Sequence, residues 1–443
     1  WFDTKELKEW AIAGIAEAEQ AASGFIAESA RFMCGPKDGR AYVNVFNTLP
    51  DDRTATAFVD IDEHKNYGVY DKGRELPSQK DNGKLAFAVH AGGLSRRTYE
   101  IREKPGDVPV ITEVHRGPYV FQNDIMSVTV LPDGRIASLC SKLSGERLKK
   151  PGNLIKGKLV REDATETWIT NEHTAESMLV EKGVLYDKIM IDGAIEDIPY
   201  RLIIRLAHGC SETVDFELDL GFNMHEIGDF YHDESKLNIY WDLNQRQPEI
   251  VIDEPFGWIT QRPERPLLAA NFTGLFENGT GLVFRHTGTP KSWVSGSVYA
   301  NLIAWGSKNF TNRFHWFWSA VNKYDMRLDR ACHYNYSVSI AENGAVPAIV
   351  KRTSGDITPL VALRGDAPAD SVSLLTVRNE SLVTTAVEPK EGGIAVRMYN
   401  ASDKPCVPEF DTSLEFLKKT DAAGRATESA EAKPFEIFEL LFR

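Results

Sequence analysis

The stretch YVFQNDIMSVTVLPDGRIASLCSKLSGERL, residues 119–148, decides the fold class of this chain. Its apolar residues Met126, Val128 and Val130 alternate with polar ones, which is the period of a strand with one buried and one wet face. The Pro-Asp-Gly run at 132–134 supplies the turn, since Asp and Gly tolerate the positive φ that a tight hairpin demands. The stretch therefore predicts an antiparallel hairpin, and it contains no reactive constellation.

Similar short alternating runs fill the chain from Ala41 onward. AYVNVF, TATAFVDI, YRLIIRLA and TVDFELDL read as strands, and clusters of Pro, Gly, Asn and Asp separate them. A smaller unit begins near residue 345. So many strands do not fit one simple sandwich, so we expect a large double sheet flanked by smaller sandwiches.

Residues 3–33 form the one convincing helix of the sequence. Apolar residues recur there at spacings of three and four, and Asp3 with Glu6 fits a capping box, so the helix is expected to start near Thr4. The apolar stripe consists of Leu7, Ala11, Ile15, Ala18, Ala22 and Phe25. A lone helix with such a stripe must bury it, so we expect its partners to lie outside this chain, as in part of a larger protein.

Composition limits the classes of function. A chain of 443 residues is expected to hold two to four domains, and 42% hydrophobic with 26% charged residues is typical of a globular protein. The net charge of -13 argues against a nucleic-acid surface, and no apolar run is long enough for a membrane span. The five cysteines form no CxxC pair and are expected to be buried free thiols. The compartment stays open, with the cytoplasm favoured.

Five phrases of the sequence occur in a characteristic order. The first is VNVFNTLPDDRT, the second HAGGLSRRTYEI, the third the opening stretch, the fourth residues 253–288, and the fifth residues 386–442. The residues that carry the pattern in the first three are Val45, Phe46, Asn47, Leu49, Arg53, Thr54, Gly93, Tyr99, Gln122, Asn123, Val128, Gly134, Ile136, Ser138, Leu139, Lys142 and Gly145. Together, from about residue 5 to the end, they resemble the non-catalytic half of glycoside hydrolase family 38, the α-mannosidases.

This resemblance implies part of a retaining hydrolase whose chemistry sits on an N-terminal α/β barrel. That barrel supplies an Asp nucleophile, an acid/base carboxylate and a zinc ion held by Asp and His, and a three-helix bundle follows it. The resemblance divides the chain as follows: the last bundle helix (1–36), a small β domain (37–105), a large galactose-mutarotase-like β-supersandwich (106–344) and a C-terminal β-sandwich (345–443). This mainly β chain is expected to hold no cofactor itself.

One segment departs from the family pattern. Mannosidases of the well-known branch carry a double-Arg strand after the loop that matches TGTPKSW. Residues 301–305 read Asn-Leu-Ile-Ala-Trp here, so the sugar contact of that Arg is not carried over.

No set of acidic residues predicts catalysis by this chain. Retaining glycoside hydrolysis needs two carboxyl groups about 5 Å apart. Asp215, Glu217 and Asp219 share one face of one strand, which predicts a solvated face. The stretch HEIGDFYHDES, 225–235, offers zinc-type ligands without a zincin spacing, so we predict a polar loop and no metal.

The carbohydrate-contact candidates are Arg262, Asn271, His286, Lys291 and Trp293. The last three belong to the loop RHTGTPKSW, whose family counterpart lies toward the barrel, and a purely structural loop is the competing interpretation. RFHWFWSAV, 313–321, is rich in tryptophan, and we predict that it is core rather than a sugar platform.

Two functions of different classes follow. The first is the C-terminal non-catalytic β region of an α-mannosidase-like enzyme, inactive alone, with an α-mannoside or other carbohydrate and the barrel of the same protein as partners. The second is a stand-alone carbohydrate-binding or structural β-module. A mutarotase-like epimerase is a third option by fold analogy alone. No nucleic acid and no membrane are expected as partners, and a homo-oligomer is left open.

Overall fold

The computed structural model describes residues 4–34, 42–105, 111–229, 231–262, 266–308, 325–341, 346–357, 360–365, 371–390 and 392–443. The chain divides into two compact units, the first comprising Trp1–Pro109 with Ser354–Arg443 and the second Val110–Thr353. The fold is mainly β with an N-terminal helix, as predicted. Neither helix in the described ranges combines the length and apolar character needed to cross a bilayer.

The first unit begins with one helix and a series of strands. Their bounds are α1 (Thr4–Cys34), β1 (Tyr42–Asn47), β2 (Arg53–Asp60), β3 (Asn66–Asp71), β4 (Arg74–Leu76), β5 (Ser78–Asp81), β6 (Lys84–Ala91) and β7 (Ser95–Lys104).

The second unit holds the long run of strands that the sequence predicts. Their bounds are β8 (Ile111–His115), β9 (Tyr119–Gln122), β10 (Met126–Val130), β11 (Ile136–Ser141), β12 (Gly145–Glu146), β13 (Leu154–Val160), β14 (Glu166–Thr170), β15 (Met178–Lys182), β16 (Tyr186–Ile195), β17 (Ile198–Ala207), β18 (Thr213–Gly221), β19 (Glu226–Ile227), β20 (Leu237–Asp242), β21 (Glu249–Glu254), β22 (Gly257–Gln261), β23 (Leu267–Leu268), β24 (Phe272–Glu277), β25 (Thr280–His286), β26 (Lys291–Ser295), β27 (Val298–Ala304) and β28 (Ala331–Ala341). A 3-10 turn covers Asp233–Ser235.

A second helix and the C-terminal strands complete the chain. Their bounds are α2 (Val346–Ile357), β29 (Val361–Gly365), β30 (Val372–Ser373), β31 (Leu375–Val377), β32 (Leu382–Lys390), β33 (Gly393–Asn400), β34 (Phe410–Thr412), β35 (Phe416–Asp421) and β36 (Ile437–Phe442).

The predicted hairpin forms. β10 pairs antiparallel with β9 on one side and β11 on the other, in a four-stranded sheet closed by β12. Met126, Val128 and Val130 are fully buried, whereas Ser127 and Thr129 are half-buried. The alternation in the sequence therefore correctly predicts which side chains of β10 are buried and which are more exposed.

The turn of this hairpin differs in one respect from the prediction. Only Gly134 adopts a positive φ, of 85°, and Asp133 does not. The buried Asp133 carboxylate instead pairs with the Arg135 guanidinium at 2.9 Å and accepts a hydrogen bond from His173 N at 2.9 Å. Burial raises the pKa of Asp133, but these hydrogen bonds outweigh that effect and hold the pKa below its usual value.

The N-terminal helix is confirmed over Thr4–Cys34, and the predicted capping residue Asp3 lies outside the described residues. Its stripe is not covered within the described residues, because the side chains of Ala11, Ile15, Ala18, Ala22 and Phe25 are all exposed. Phe25 is 72% exposed, which is unusual for a large apolar side chain.

The prediction of a single helix is wrong, because α2 is a second one. Its sequence VPAIVKRTSGDI contains β-branched residues and a Gly, which lower helix propensity. Pro347, however, lies in the first turn, where the missing N–H costs nothing.

The first unit contains sheets drawn from both ends of the chain. One sheet has the order β29-β1-β7-β3-β4 with β30 also paired to β7, and a second has the order β2-β6-β5. These two share a core that includes Val45, Phe87 and Tyr99. The C-terminal strands form a sheet of order β32-β33-β36-β35 and the pair β31-β34, around Phe438 and Phe442. The sequence did not indicate that β29 and β30 would join the first sheet.

The second unit packs two large antiparallel sheets around one core. The seven-stranded sheet has the order β14-β13-β20-β27-β26-β23, with β19 paired to β13. The ten-stranded sheet has the order β22-β21-β24-β25-β28-β18-β17-β16-β15-β8. Side chains of both sheets and of the hairpin sheet belong to one apolar cluster. A large double sheet is therefore confirmed.

Gly152 fits beneath the largest buried side chain of this core. A Cβ built on Gly152 would lie 2.2 Å from Trp241 Cε3, and Trp241 is 2% exposed. Because Trp241 also packs edge-on against Phe216, with ring centroids 6.0 Å apart, the indole has little room to move away.

We expect Gly152→Ala to lower the free energy of unfolding of the second unit by about 2 kcal/mol, through overpacking against Trp241. Urea denaturation followed by near-UV circular dichroism measures this. Gly117→Ala is the matched control, since a Cβ there meets no atom within 4 Å, and it should change stability by less than about 0.5 kcal/mol. Equal effects of the two substitutions would contradict the packing of Gly152 on Trp241.

Candidate functional site

The five carbohydrate-contact candidates lie at three separate places in the second unit. Asn271 and His286 are neighbours at the ends of β24 and β25. Lys291 and Trp293 lie two residues apart on β26, so they share one face of the seven-stranded sheet. Arg262 is exposed just after β22. The structure thus brings the candidates together in two pairs, and their contact with sugar stays a prediction.

Asn271 is held by the buried carboxylate of Asp253. Asp253 Oδ1 accepts from Asn271 N at 2.8 Å and Phe272 N at 2.9 Å, while Oδ2 accepts from Asn271 Nδ2 at 2.8 Å. His286 N donates to Asn271 O at 2.9 Å. Asp253 therefore fixes the start of β24, and sequence analysis did not single it out.

The imidazole of His286 is a neutral interior group. The residue is 5% exposed, and neither ring nitrogen has a hydrogen-bond partner within the described ranges. Burial lowers the pKa of His286 to about 4, although the nearby Asp253 carboxylate opposes the shift. A ring in this state carries no charge at neutral pH, so it offers a sugar neither a cation nor an exposed edge.

Lys291 is neutralised by an aspartate of the polar stretch 225–235. Its Nζ lies 2.7 Å from Asp233 Oδ1, and Lys236 Nζ lies 2.6 Å from the same oxygen. Burial raises the pKa of Asp233, but the hydrogen bonds from the two lysines prevail and lower it. The ion pair of Asp233 with Lys291 therefore links the stretch 225–235 to β26. The sequence predicts only a polar loop here and gives no sign of this ion pair.

Trp293 packs against an aromatic side chain of the same sheet. Its indole meets the Tyr240 ring edge to face, with centroids 5.7 Å apart. The Trp293 N–H is shielded from solvent and has no partner among the described residues. This ring is therefore partly used in packing rather than fully presented as a stacking surface.

Asn301 stabilises the connection between β25 and β26; the predicted loop is thus partly strand, because Lys291 and Trp293 belong to β26. Its Nδ2 donates to Thr289 O at 2.8 Å and to Lys291 O at 3.1 Å, and Thr289 Oγ1 donates to Asn301 Oδ1 at 3.0 Å. Residue 301 begins the segment that departs from the family pattern. An amide there holds residues 287–291, which lead from β25 into β26, from within the sheet.

The acidic strand β18 presents an ion-paired face. Asp215 and Asp219 are exposed and Glu217 is half-buried. Glu217 lies 2.5 Å from Arg205 Nη1, and Asp219 lies 2.7 Å from His333 Nδ1. Alternation along the strand, which predicted one solvated face, accounts for this arrangement.

The zinc-type residues of 225–235 also have other partners. His232 Nδ1 lies 2.7 Å from Asp229 Oδ2, and His225 Nδ1 accepts a hydrogen bond from Asn223 N at 2.8 Å. Across the part of the chain that the structure describes, no three His, Cys, Asp or Glu side chains gather in a metal-binding group.

Two further sequence predictions have different outcomes. The tryptophan-rich segment 313–321 lies outside the described residues. The thiols of Cys140, Cys210, Cys332 and Cys406 are free, as predicted, but the prediction that they are buried is wrong. Cys210 lies in the connection between β17 and β18 and is exposed, and the other three are half-buried. The side chain of Cys34 lies outside the described part of the structure.

Comparison with known proteins shows a likeness of fold. An α-mannosidase from Enterococcus faecalis V583 matches 99% of this chain with a TM-score of 0.76 at 12% sequence identity. A protein in glycosyl hydrolase family 38 from Enterococcus faecalis matches 99% with a TM-score of 0.76 at 13% identity. This chain spans 60% and 63% of the lengths of those two chains. A putative aldose 1-epimerase from Escherichia coli K12 matches 52% of this chain at a TM-score of only 0.28 and 8% identity. No family model and no curated protein matches the sequence.

The neutral His286 predicts an acid-dependent loss of stability. Its folded-state pKa of about 4 lies below the ordinary value of 6.5, so between these values the unfolded chain binds a proton that the folded chain does not. Stability should therefore fall as pH decreases from about 6.5 to about 4, by up to about 3 kcal/mol from this residue. Urea titrations of wild type and His286→Gln at pH 7 and pH 4.5 measure the difference.

The control for this experiment is His64→Gln, at an exposed turn. It should leave the pH dependence of the wild type unchanged, whereas His286→Gln should flatten it. Parallel pH profiles for wild type and His286→Gln would show that the ring is not kept neutral by burial.

Proposed function

We propose that this chain is the non-catalytic β region of an α-mannosidase-like retaining glycoside hydrolase. The observation that carries the proposal is the match of 99% of the chain, at a TM-score of 0.76, to a solved structure described as an α-mannosidase. In this proposal the β domains shape the sugar cleft and support a barrel that corresponds to the part of that structure which the chain does not match.

The state of the carboxylates supports a non-catalytic role. Retaining hydrolysis needs a free nucleophile and a protonated acid about 5 Å apart. Glu217 and Asp219 are bound to Arg205 and His333, and Asp233 is bound to two lysines, so each of these carboxylates already has a partner. We assign the bond-breaking groups to the barrel.

The zinc ion implied by the α-mannosidase likeness is assigned to the barrel as well. The described residues do not fit it, because none of their His, Cys, Asp and Glu side chains converge in threes. No step of the reaction is derived through zinc in this chain.

The exposed stripe of α1 supports a helical partner. Ile15 is 69% exposed and Phe25 is 72% exposed, so these large apolar side chains face solvent in the described structure. Removing such side chains from water contributes about 1.5–3 kcal/mol each. In the proposed enzyme this stripe packs against helices that connect the barrel to the β domains.

The test compares the isolated chain with the native protein. The 443-residue chain should give no turnover of an aryl α-mannoside with or without added zinc. The native polypeptide, captured with an antibody to this chain, should be longer and should hydrolyse the substrate in a chelator-sensitive way.

Two outcomes would overturn the proposal. One is chelator-sensitive turnover by the isolated chain. The other is a native polypeptide of the same length with no associated mannosidase activity, which would favour the stand-alone carbohydrate-binding or structural β-module.

A further inference from the structure

We propose that a polar cleft in the first unit binds a neutral polyhydroxylated ligand of the size of a pyranoside. The cleft has a volume of about 440 Å³ and is lined by charged, imidazole and hydroxyl side chains, with no large apolar side chain among them. Those that the inference uses are Asp52, His90, Ser373, Arg378, Asp411 and Ser413.

A guanidinium held between two carboxylates forms the polar centre of the cleft. Arg378 Nη1 donates to Asp52 Oδ2 at 2.6 Å, and Arg378 Nε donates to Asp411 Oδ2 at 2.8 Å. Arg378 Nη2 also donates to Asp411 Oδ2. Because each carboxylate is oriented by the same planar group, their second oxygens are held in fixed directions.

Several polar atoms of this centre are left open. Within the described ranges, Asp52 Oδ1 and Asp411 Oδ1 take part in no hydrogen bond, since all the bonds to these carboxylates use Oδ2. His90 uses Nδ1 with Thr54 Oγ1, at 3.2 Å, which leaves Nε2 unoccupied. Two carboxylate oxygens and an imidazole nitrogen are thus available to a ligand.

The charge of the cleft selects the class of ligand. The two negative charges of Asp52 and Asp411 exceed the single positive charge of Arg378, and the N–H groups of Arg378 already bind these carboxylates. An anionic ligand would therefore be repelled. Asp52, Asp411 and His90 do not converge in a metal-binding group, since no three such side chains do so among the described residues, and the guanidinium occupies the space between the two carboxylates. An apolar ligand would bury these charges without compensation. Hydroxyl groups can both donate to the open oxygens and accept from Ser and His, so a neutral polyol fits best.

The wall of the cleft is built to hold its shape. Gly93 N donates to Thr376 Oγ1 at 3.0 Å, and Ser373 Oγ donates to Gly93 O at 2.9 Å. A Cβ on Gly93 would lie 2.2 Å from Leu375 O and 2.6 Å from Pro50 O, so only glycine permits this close approach. This part of the wall is therefore fixed before a ligand binds, which reduces the entropy lost on binding.

This inference does not rest on the proposed function, because the cleft lies wholly in the first unit and needs no barrel. A stand-alone β-module would use it equally well. An open site that contacts one sugar ring through a few hydrogen bonds is expected to have a Kd on the order of 1 mM.

The test uses the full chain and methyl α-D-mannopyranoside, followed by saturation-transfer difference NMR and calorimetry. The wild type should bind with millimolar affinity. Asp411→Ala, which removes one open acceptor and releases the guanidinium, should weaken binding at least tenfold. Asp403→Ala makes the same change of charge at an exposed position outside the cleft and should bind as the wild type does.

Ser413→Trp provides an independent variant, because its exposed position tolerates a large side chain that fills the cleft. It should abolish binding while the thermal midpoint stays unchanged. The inference is overturned if the wild type shows no binding at a sugar concentration of about 50 mM, which is roughly fifty times the expected Kd. It is also overturned if both variants bind the sugar as tightly as the wild type does. It is also overturned if inorganic phosphate or Ca²⁺ binds in place of sugar and Asp411→Ala abolishes that binding.

Discussion

The second unit depends on aromatic side chains that alternate between its two large sheets. Phe216 and Phe284 belong to the ten-stranded sheet, and Trp241 and Tyr299 to the seven-stranded sheet. Phe284 stacks on Tyr299 with centroids 4.1 Å apart and also contacts Trp241 at 5.6 Å. Each such pair contributes about 0.5–1.5 kcal/mol beyond its burial, and together they fix how the sheets face each other. Gly152 is required because any side chain there would displace Trp241.

Buried polar side chains then fix the ends of the strands. Asn47 Nδ2 donates to Asp51 O at 2.6 Å and to Gly92 O at 2.8 Å, and Asn123 Nδ2 donates to Ala207 O and Ser211 O, both at 2.9 Å. Both asparagines belong to the phrases that resemble glycoside hydrolase family 38. Their contacts show that these phrases specify turns and strand ends, so they indicate architecture more directly than chemistry.

The packing of the two sheets and the fixed strand ends also explain why the candidate sugar-contact residues lie at separate places. Asn271 immediately precedes β24 and His286 ends β25, and here Asp253 binds the backbone of β24's first residues while burial keeps the imidazole neutral. Lys291 and Trp293 alternate onto the other side of their own sheet, where Asp233 and Tyr240 meet them. Residues that are close in the sequence therefore do not form a single surface. His286 belongs to the ten-stranded sheet, whereas Lys291 and Trp293 belong to the seven-stranded sheet.

The sequence by itself determined the mainly β class, the N-terminal helix, the hairpin at 119–148 and the solvated face of β18, because each depends on local periodicity and turn chemistry. It missed α2, whose composition is poor for a helix, and the pairing of β29 and β30 with strands more than 250 residues earlier, which leaves no local pattern. Only the tertiary structure decided which charges pair, as in Asp233 with Lys291 and Arg378 with Asp52. Such contacts join residues that are distant in the chain, and their positions follow from how the sheets pack.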